Sequence, residues 1–531
     1  MRNLPAILSA LFGSLAALAC SGNTPYSGPP PEYEPPRPLQ TATATAAPTV
    51  EAPAPASYGT PEELGKHIDA YMAGYGAKWG EAYAPSGVLV VADQGKPIVV
   101  RTYGKADREK GTDFSIDTPL RIGSLTKQFT AAAVLKLVEE GKVATTDSIR
   151  KWVKELPDTF EPVTVHHLLN QTSGVPSYTD DPAILARKGE NVPNADIIGW
   201  VGKKPLDFAP GSRFSYSNSN YYLLSLVVER AAKKPLAAVL KDQVLTPSGM
   251  KLTGVDTTNT ASGYVRDPAG KLKAADAVSD SVPFGAGYLR SSASDLVRWD
   301  RALAGDTVLS RASKDAIFKP GSKCPECGGD YAYGWILDKV AGTPVEWHNG
   351  AIDGFSSFFA RAPEKGLAVV FLSNTMEFDS TGAGRAVLKM ALSGETVSAI
   401  NERDITPLDE AFAKSVAGEY ILSKKSRDDL GAKMPKPVLE SIEGMDVKWE
   451  SGALTFKPVG QGRFGLRKAK DGVLFNGDLA VDLAPDFGDP KKPEKKAKGF
   501  TLRQGPITAE YVRGKLPAKK KPETKPASAT K

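Results

Sequence analysis

The chain has 531 residues, 41% hydrophobic and 24% charged, the balance of an ordinary globular protein, and no run after the first twenty residues is apolar enough to span a membrane. Its formal charge of +6 does not mark a nucleic-acid binder: residues 515–531 hold six lysines and one glutamate, which leaves the remainder nearly neutral and without a basic face interleaved with aromatics. The length exceeds what one hydrophobic core organises, so at least two folded units with unstructured connections are expected.

Residues 1–20 carry Arg2, an apolar stretch from Leu4 to Ala19, and a lone cysteine ahead of Ser21 and Gly22, the pattern of an export signal. Ala17-Leu18-Ala19-Cys20 resembles a bacterial lipobox, which implies a lipidated Cys20 and a location in the bacterial envelope or periplasm; an ordinary signal peptide with an incidental cysteine is the alternative. Residues 21–58, rich in Pro, Ala and Thr, cannot bury a core and are read as a disordered tether.

Leu64, Ile68 and Tyr71 predict an amphipathic helix over 60–75. Apolar runs over 86–91 and 97–103, separated by Asp93-Gln94-Gly95-Lys96, predict a hairpin. The clearest helix covers 124–140, with Phe129, Ala133, Val134 and Leu137 on one side and Gly141 as its stop. From about 145 to 280 the pattern is mainly helical, including 163–169 and 220–232, and reads as an inserted subdomain. Strands return over 335–340, 345–348, 356–361 and 367–373. The order predicts an α+β domain over 59–398, an antiparallel sheet flanked by helices in which the two ends of the domain meet.

Cys324 and Cys327 lie three apart with no second ligand pair near them, which argues against structural zinc; a local disulfide fits an oxidising compartment better than a redox-active pair. Residues 408–514 show short alternations such as Gly418-Glu419-Tyr420-Ile421-Leu422 and Ala453-Leu454-Thr455-Phe456, which predict a separate small β domain, a partly closed barrel. Residues 515–531 form a lysine-rich, disordered tail. No internal repeat is evident.

Three short motifs carry chemistry. In Gly123-Ser124-Leu125-Thr126-Lys127 a serine and a lysine three apart at a helix start emerge on one face. The serine is a weak nucleophile until a base accepts its proton, and a lysine does so once a dry pocket lowers its pKa from about 10.4. Alone, the pair reads equally as a helix cap and a solvated lysine. Tyr216-Ser217-Asn218 ahead of a helix offers a phenol to share the base role and an amide to orient Lys127 and a substrate carbonyl. His348-Asn349-Gly350 at a strand end offers a histidine beside a glycine that lets substrate lie against the backbone.

In this order the motifs resemble the serine β-lactamase and penicillin-binding-protein superfamily, whose pattern is Ser-x-x-Lys, Tyr-x-Asn, then Lys- or His-x-Gly. Residues 165–174 are similar to that family's Leu-Leu-x-His-Thr-Ser-Gly segment, with Gln171 in place of the histidine. Phe208-Ala209-Pro210-Gly211, Thr246-Pro247-Ser248-Gly249-Met250 and Ser291 to Leu296 are further points of likeness, and the resemblance covers roughly 60–395. It implies a β-lactamase/transpeptidase-like fold with catalytic Ser124, Lys127 and Tyr216, and with Asn218, His348 and Gly350 binding or orienting substrate. It also implies an oxyanion hole from the backbone N–H groups of Ser124 and Ala351. The 408–514 domain resembles the lipocalin-like module appended to such hydrolases.

Histidine at 348, where class C β-lactamases carry lysine, is similar to D-alanyl-D-alanine carboxypeptidases, D-aminopeptidases and related esterases. The resemblance therefore implies hydrolysis of a D-alanyl peptide or an ester, with β-lactam cleavage as a further activity. His348 is expected to bind a substrate carboxylate or keep Tyr216 anionic, with a pH dependence that lysine lacks. No cofactor is required and no metal is expected. The expected partner is a small-molecule or peptide substrate, including peptidoglycan-derived ones, with membrane contact only through a lipid anchor and an oligomeric state that is not legible. The reading from another class is a non-catalytic envelope protein that keeps the fold for binding.

Overall fold

In the computed structural model, residues 58–79, 84–266, 272–324, 327–376 and 378–397 are described, together with most of 405–516. The expected export signal, Cys20, all of the tether but its last residue, and the tail beyond Leu516 lie outside these residues. The chain divides into two compact units between Glu402 and Arg403.

The first unit opens with α1 (Pro61–Trp79), β1 (Gly87–Asp93) and β2 (Lys96–Tyr103). β1 has no polar face, and Val88 to Ala92 are all fully buried, as befits a strand covered on both sides. Helices α2 (Thr126–Glu139), α3 (Val165–Leu169), α4 (Asn218–Ala232) and α5 (Ala293–Ala304) follow. Then come β3 (Ser322–Cys324), β4 (Gly329–Tyr331), β5 (Ile336–Val340), β6 (Thr343–Ile352), β7 (Phe355–Ala362), β8 (Leu367–Ser373) and α6 (Ser380–Ser393).

One sheet runs β2-β1-β8-β7-β6-β5-β4-β3, every pair antiparallel. β1 lies along β8, Gly87 opposite Ser373 and Asp93 opposite Leu367, so the two ends of the unit meet as expected. The pleat divides β1: Val88, Val90 and Ala92 join the large core with α2 and α5, while Leu89 and Val91 point to the opposite face. On that second face Gly384 of α6 packs on the ring of Phe358.

Three departures from the sequence expectation bear on the site. The helix predicted from 124 begins as a 3-10 turn, Gly123–Leu125, and becomes α-helical at Thr126. β6 does not stop at His348: it pairs with β7 as far as Ile352 opposite Phe355, which puts Gly350 and Ala351 inside a ladder. The block over 145–280 also contains a hairpin, Tyr264–Arg266 with Leu272–Ala274.

The second unit is a barrel of β9 (Gly418–Leu422), β10 (Gly444–Glu450), β11 (Ala453–Pro458), β12 (Phe464–Ala469), β13 (Leu474–Asn476), β14 (Val481–Asp486), β15 (Gly499–Gln504) and β16 (Ile507–Arg513). The order β12-β11-β10-β9-β16-β15-β14-β13 closes through pairing of β13 with β12, so the barrel has eight strands and full closure. Tyr420, Leu454, Leu474, Leu483 and Phe500 are among its buried side chains, with the Tyr420 and Phe500 rings edge to face at 4.6 Å. Among the described residues no helix is long and apolar enough to cross a membrane.

Candidate active site

The site begins where two glycines let two backbones touch. Gly123 has φ +49°, a conformation that favours glycine, and a Cβ there would stand 2.8 Å from the Ala351 nitrogen. A Cβ on Gly350 would overlap the Ile122 carbonyl oxygen and stand 2.9 Å from the Ser124 nitrogen. The turn that carries Ser124 therefore lies directly against the end of β6, with the Ser124 and Ala351 amides on the two sides of one contact. Ser357 Oγ donates to the Ile122 carbonyl at 2.8 Å, and Leu289 receives the Ile122 N–H at 3.0 Å while donating to Thr126 Oγ1 at 3.2 Å. Both flanks of Ser124 are thus held.

This placement makes Gly350→Ala informative. A methyl group would force the Ser124 and Ala351 amides apart, and losing one oxyanion donor lowers kcat by about 10²–10³-fold. Steady-state hydrolysis of a 4-nitrophenyl ester is the measurement; a loss under about threefold would contradict the pairing of these amides.

Lys127 sits on the first turn of α2 with none of its surface exposed. Its Nζ lies 3.0 Å from Ser124 Oγ, 2.9 Å from Asn218 Oδ1 and 2.8 Å from the Ala286 carbonyl oxygen. Burial pushes its pKa well below the usual lysine value. A neutral amine has two N–H bonds and one lone pair. Asn218 Oδ1 and Ala286 O can only accept, so they take the two N–H bonds and leave the lone pair facing the Ser124 hydroxyl.

Tyr216 donates its hydroxyl to Ser124 Oγ at 2.9 Å, with the Lys127 Nζ 4.9 Å from its ring centre. Burial raises the phenol pKa and the Ser124 hydrogen bond only partly opposes this. Burial thus favours the neutral amine at Lys127 and the protonated phenol at Tyr216. Asn218, at the start of α4, orients Lys127 through Oδ1 and is itself held by Nδ2 donating to Thr179 Oγ1 at 3.0 Å and its N–H to Ser177 Oγ at 3.1 Å.

His348 is 2% exposed. Its Nδ1 is 2.5 Å from the Asn349 carbonyl oxygen, an acceptor, so Nδ1 carries the proton and Nε2 accepts from the Tyr331 hydroxyl at 3.3 Å. Burial first, then Lys127 whenever it carries its proton, push its pKa down to about 3. The expected pH dependence of a His348 that binds a carboxylate or keeps Tyr216 anionic does not fit an imidazole whose pKa lies so low. The imidazole is neutral with both nitrogens engaged, and it acts on Tyr331, whose ring meets Tyr216 edge-on at 6.2 Å.

Several contributors lay outside the sequence reading. Gln171 had stood out only as a substitution in a motif. At φ +61° and fully buried, it accepts the Ser215 N–H on its carbonyl at 2.9 Å and the Ser217 N–H on Oε1 at 3.0 Å, clamping Tyr216 from both sides. Tyr331 was missed because its strands β3 and β4 are three residues each; Cys324 ends β3, and a disulfide joins it to Cys327, Cα atoms 5.2 Å apart. Ala286 acts through a backbone carbonyl, which leaves no residue-type signal. Among the described residues no group of three or more His, Cys, Asp or Glu side chains could hold a metal ion.

Comparison with known proteins agrees with this geometry. The beta-lactamase family model matches residues 64–392. Penicillin-binding protein 4* of Bacillus subtilis (strain 168) is 27% identical over 459 residues, which span 82% of this chain and 96% of that protein. An octameric penicillin-binding protein homologue from Pyrococcus abyssi shares the fold with a TM-score of 0.58 at 20% identity, over 84% of this chain and 99% of its own. A D-amino acid amidase from Ochrobactrum anthropi SV3 has a TM-score of 0.52 at 25% identity, over 62% of this chain and 98% of its own. The chain belongs to the beta-lactamase family and is a serine hydrolase.

Proposed function

We propose that the protein is an exported hydrolase that cleaves an amide or ester through an acyl-enzyme on Ser124, with D-alanyl peptides and D-amino-acyl amides as its first substrate class and esters as its second. The observation that carries the reading is the desolvated Lys127 amine, whose two N–H bonds are taken by Asn218 Oδ1 and Ala286 O while Ser124 Oγ lies at 3.0 Å. Ser124 Oγ attacks the carbonyl carbon as its proton passes to Lys127, and the oxyanion forms against the N–H groups of Ser124 and Ala351. Tyr216 gives its proton to the departing nitrogen or oxygen and is reprotonated from Lys127. Water then attacks the ester, its proton returning through the same pair to Ser124.

The substrate class draws on His348 in the third motif and on the likeness to a D-amino acid amidase. Export and lipidation draw on residues 1–20 with Cys20. A fluorescent fluorophosphonate is expected to label the purified protein at one serine, located as Ser124 by peptide mass spectrometry. No adduct, or an adduct elsewhere, would favour a binding protein that has kept the fold. A panel of D-alanyl peptides, D-amino acid amides, short-chain esters and a chromogenic cephalosporin ranks the substrates.

A further inference from the structure

Past Ala351, β6 ends beside a recess of about 350 Å³ whose walls include Arg121, Arg290, Val278, Asp353 and Phe355. Arg121 precedes Ser124 by three residues and Asp353 follows Ala351 by two, so the backbone at both walls lies within about 11 Å of the backbone at Ser124 or Ala351. Its relation to the substrate follows from the proton path proposed above. Tyr216 protonates the leaving group, and the Tyr216 and His348 rings are 6.2 Å apart, so the leaving group lies toward the His348 end of β6. The acyl portion of a bound substrate would then extend the other way, past Ala351 toward the recess.

The two cations of the recess wall share one carboxylate between them. Arg121 and Arg290 face each other across a two-residue ladder and share one carboxylate, Asp280, at 2.7 Å to Arg121 Nη2 and 2.5 Å to Arg290 Nη1. Arg121 Nη1 donates to the Val278 carbonyl at 2.6 Å. Asp353 is already paired with Lys188. Arg121, Arg290 and Lys188 therefore stand against Asp280, Asp353 and Asp276, and of these carboxylates Asp276 is exposed, where solvent and salt screen it. Arg121 is 9% exposed and its Nε is buried without a hydrogen-bond partner. Burial, then the neighbouring Arg290, lower its pKa, as expected of a cation lacking a full counter-charge.

The recess also has an end. Lys188 comes from the helical insertion and Asp353 from the turn after β6, so their ion pair spans two elements, and the Ser279 N–H donates to the Lys188 carbonyl at 2.7 Å. We propose that the recess binds a terminal carboxylate on the acyl portion of the substrate, with Arg290 and Arg121 as its cationic wall, so that the enzyme prefers short acyl groups ending in a carboxylate over neutral ones of equal length. The inference rests on the acyl-enzyme reading of Ser124.

The test compares glutaryl 4-nitroanilide with pentanoyl 4-nitroanilide, which differ only in the terminal carboxylate. Release of nitroaniline, and protection of Ser124 from fluorophosphonate, are measured for the wild type, Arg290→Gln and Arg290→Lys. The glutaryl compound is expected to lead by about tenfold or more, the scale of one charge-assisted hydrogen bond. That ratio should fall toward one in Arg290→Gln, recover in part in Arg290→Lys, and shrink as salt is added. Equal performance of the two compounds in the wild type, or a ratio that survives Arg290→Gln, overturns the proposal. Should Arg290→Gln fail to label with fluorophosphonate, the salt dependence of the wild-type ratio decides: a ratio indifferent to salt overturns it. Failure of the wild type itself to label overturns the serine-hydrolase reading instead.

Discussion

Replacing Lys127 with methionine is expected to lower kcat by about 10²–10⁴-fold, the range that a positioned general base contributes. Methionine is close in length and belongs in a buried site, so the change removes the lone pair that faces Ser124 Oγ while keeping volume in the core. It also leaves Asn218 Oδ1 and the Ala286 carbonyl without the N–H bonds they receive at 2.9 and 2.8 Å. Asn218 keeps its Nδ2 bond to Thr179, which limits the disturbance at α4. Loss of turnover with continued slow labelling by a reactive fluorophosphonate would place Lys127 in proton transfer. Retention of kcat within about tenfold would remove it from that role.

The same substitution has a pH signature with a defined sign. Burial lowers the pKa of Lys127 in the folded protein, so between that value and the unfolded one the unfolded chain binds one more proton. Wild-type stability therefore gains from Lys127 as pH rises through this window and loses as pH falls. Lys127→Met lacks that contribution, so the wild-type thermal midpoint minus that of the variant should fall as pH is lowered through this window and rise as pH is raised. Activity follows the same proton: the neutral amine is the competent form, so kcat falls on the acid side. His348, held to about 3, contributes no second limb in the neutral range.

How far this site was legible depended on which atoms do the work. Ser124, Lys127, Tyr216 and Asn218 act through side chains at fixed spacing, and the structure gathers them within hydrogen-bond reach. The strands β1 and β8 were legible for a related reason, since an unbroken apolar run leaves a covered strand as the economical solution. The extension of β6 was hidden because His348-Asn349-Gly350 reads as a strand end, whereas Gly350 serves close packing against Ile122 and Ser124. The environment of His348 was illegible altogether: its charge state depends on burial beneath Tyr331 and on the proximity of Lys127, which tertiary packing alone decides. Gln171 shows the converse case, a visible departure from a motif whose meaning appears only once its carbonyl and amide are seen on either side of Tyr216.

Ser124→Ala should have the largest effect of all, a fall in turnover on the order of 10⁶-fold, because the covalent route is lost and only binding and the oxyanion amides remain. The fold should survive. Ser124 Oγ is held by Lys127 at 3.0 Å and Tyr216 at 2.9 Å, but Lys127 retains Asn218 and Ala286, and Tyr216 stays clamped through Gln171. An unchanged thermal midpoint with no fluorophosphonate adduct is the expected pair of results. Because nucleophile and base act on one proton, their losses do not add: Ser124→Ala combined with Lys127→Met should be no slower than Ser124→Ala alone. Substantial turnover in the purified Ser124→Ala protein would remove the acyl-enzyme. A double variant much slower than the single one would show instead that Lys127 serves a step separate from activation of Ser124.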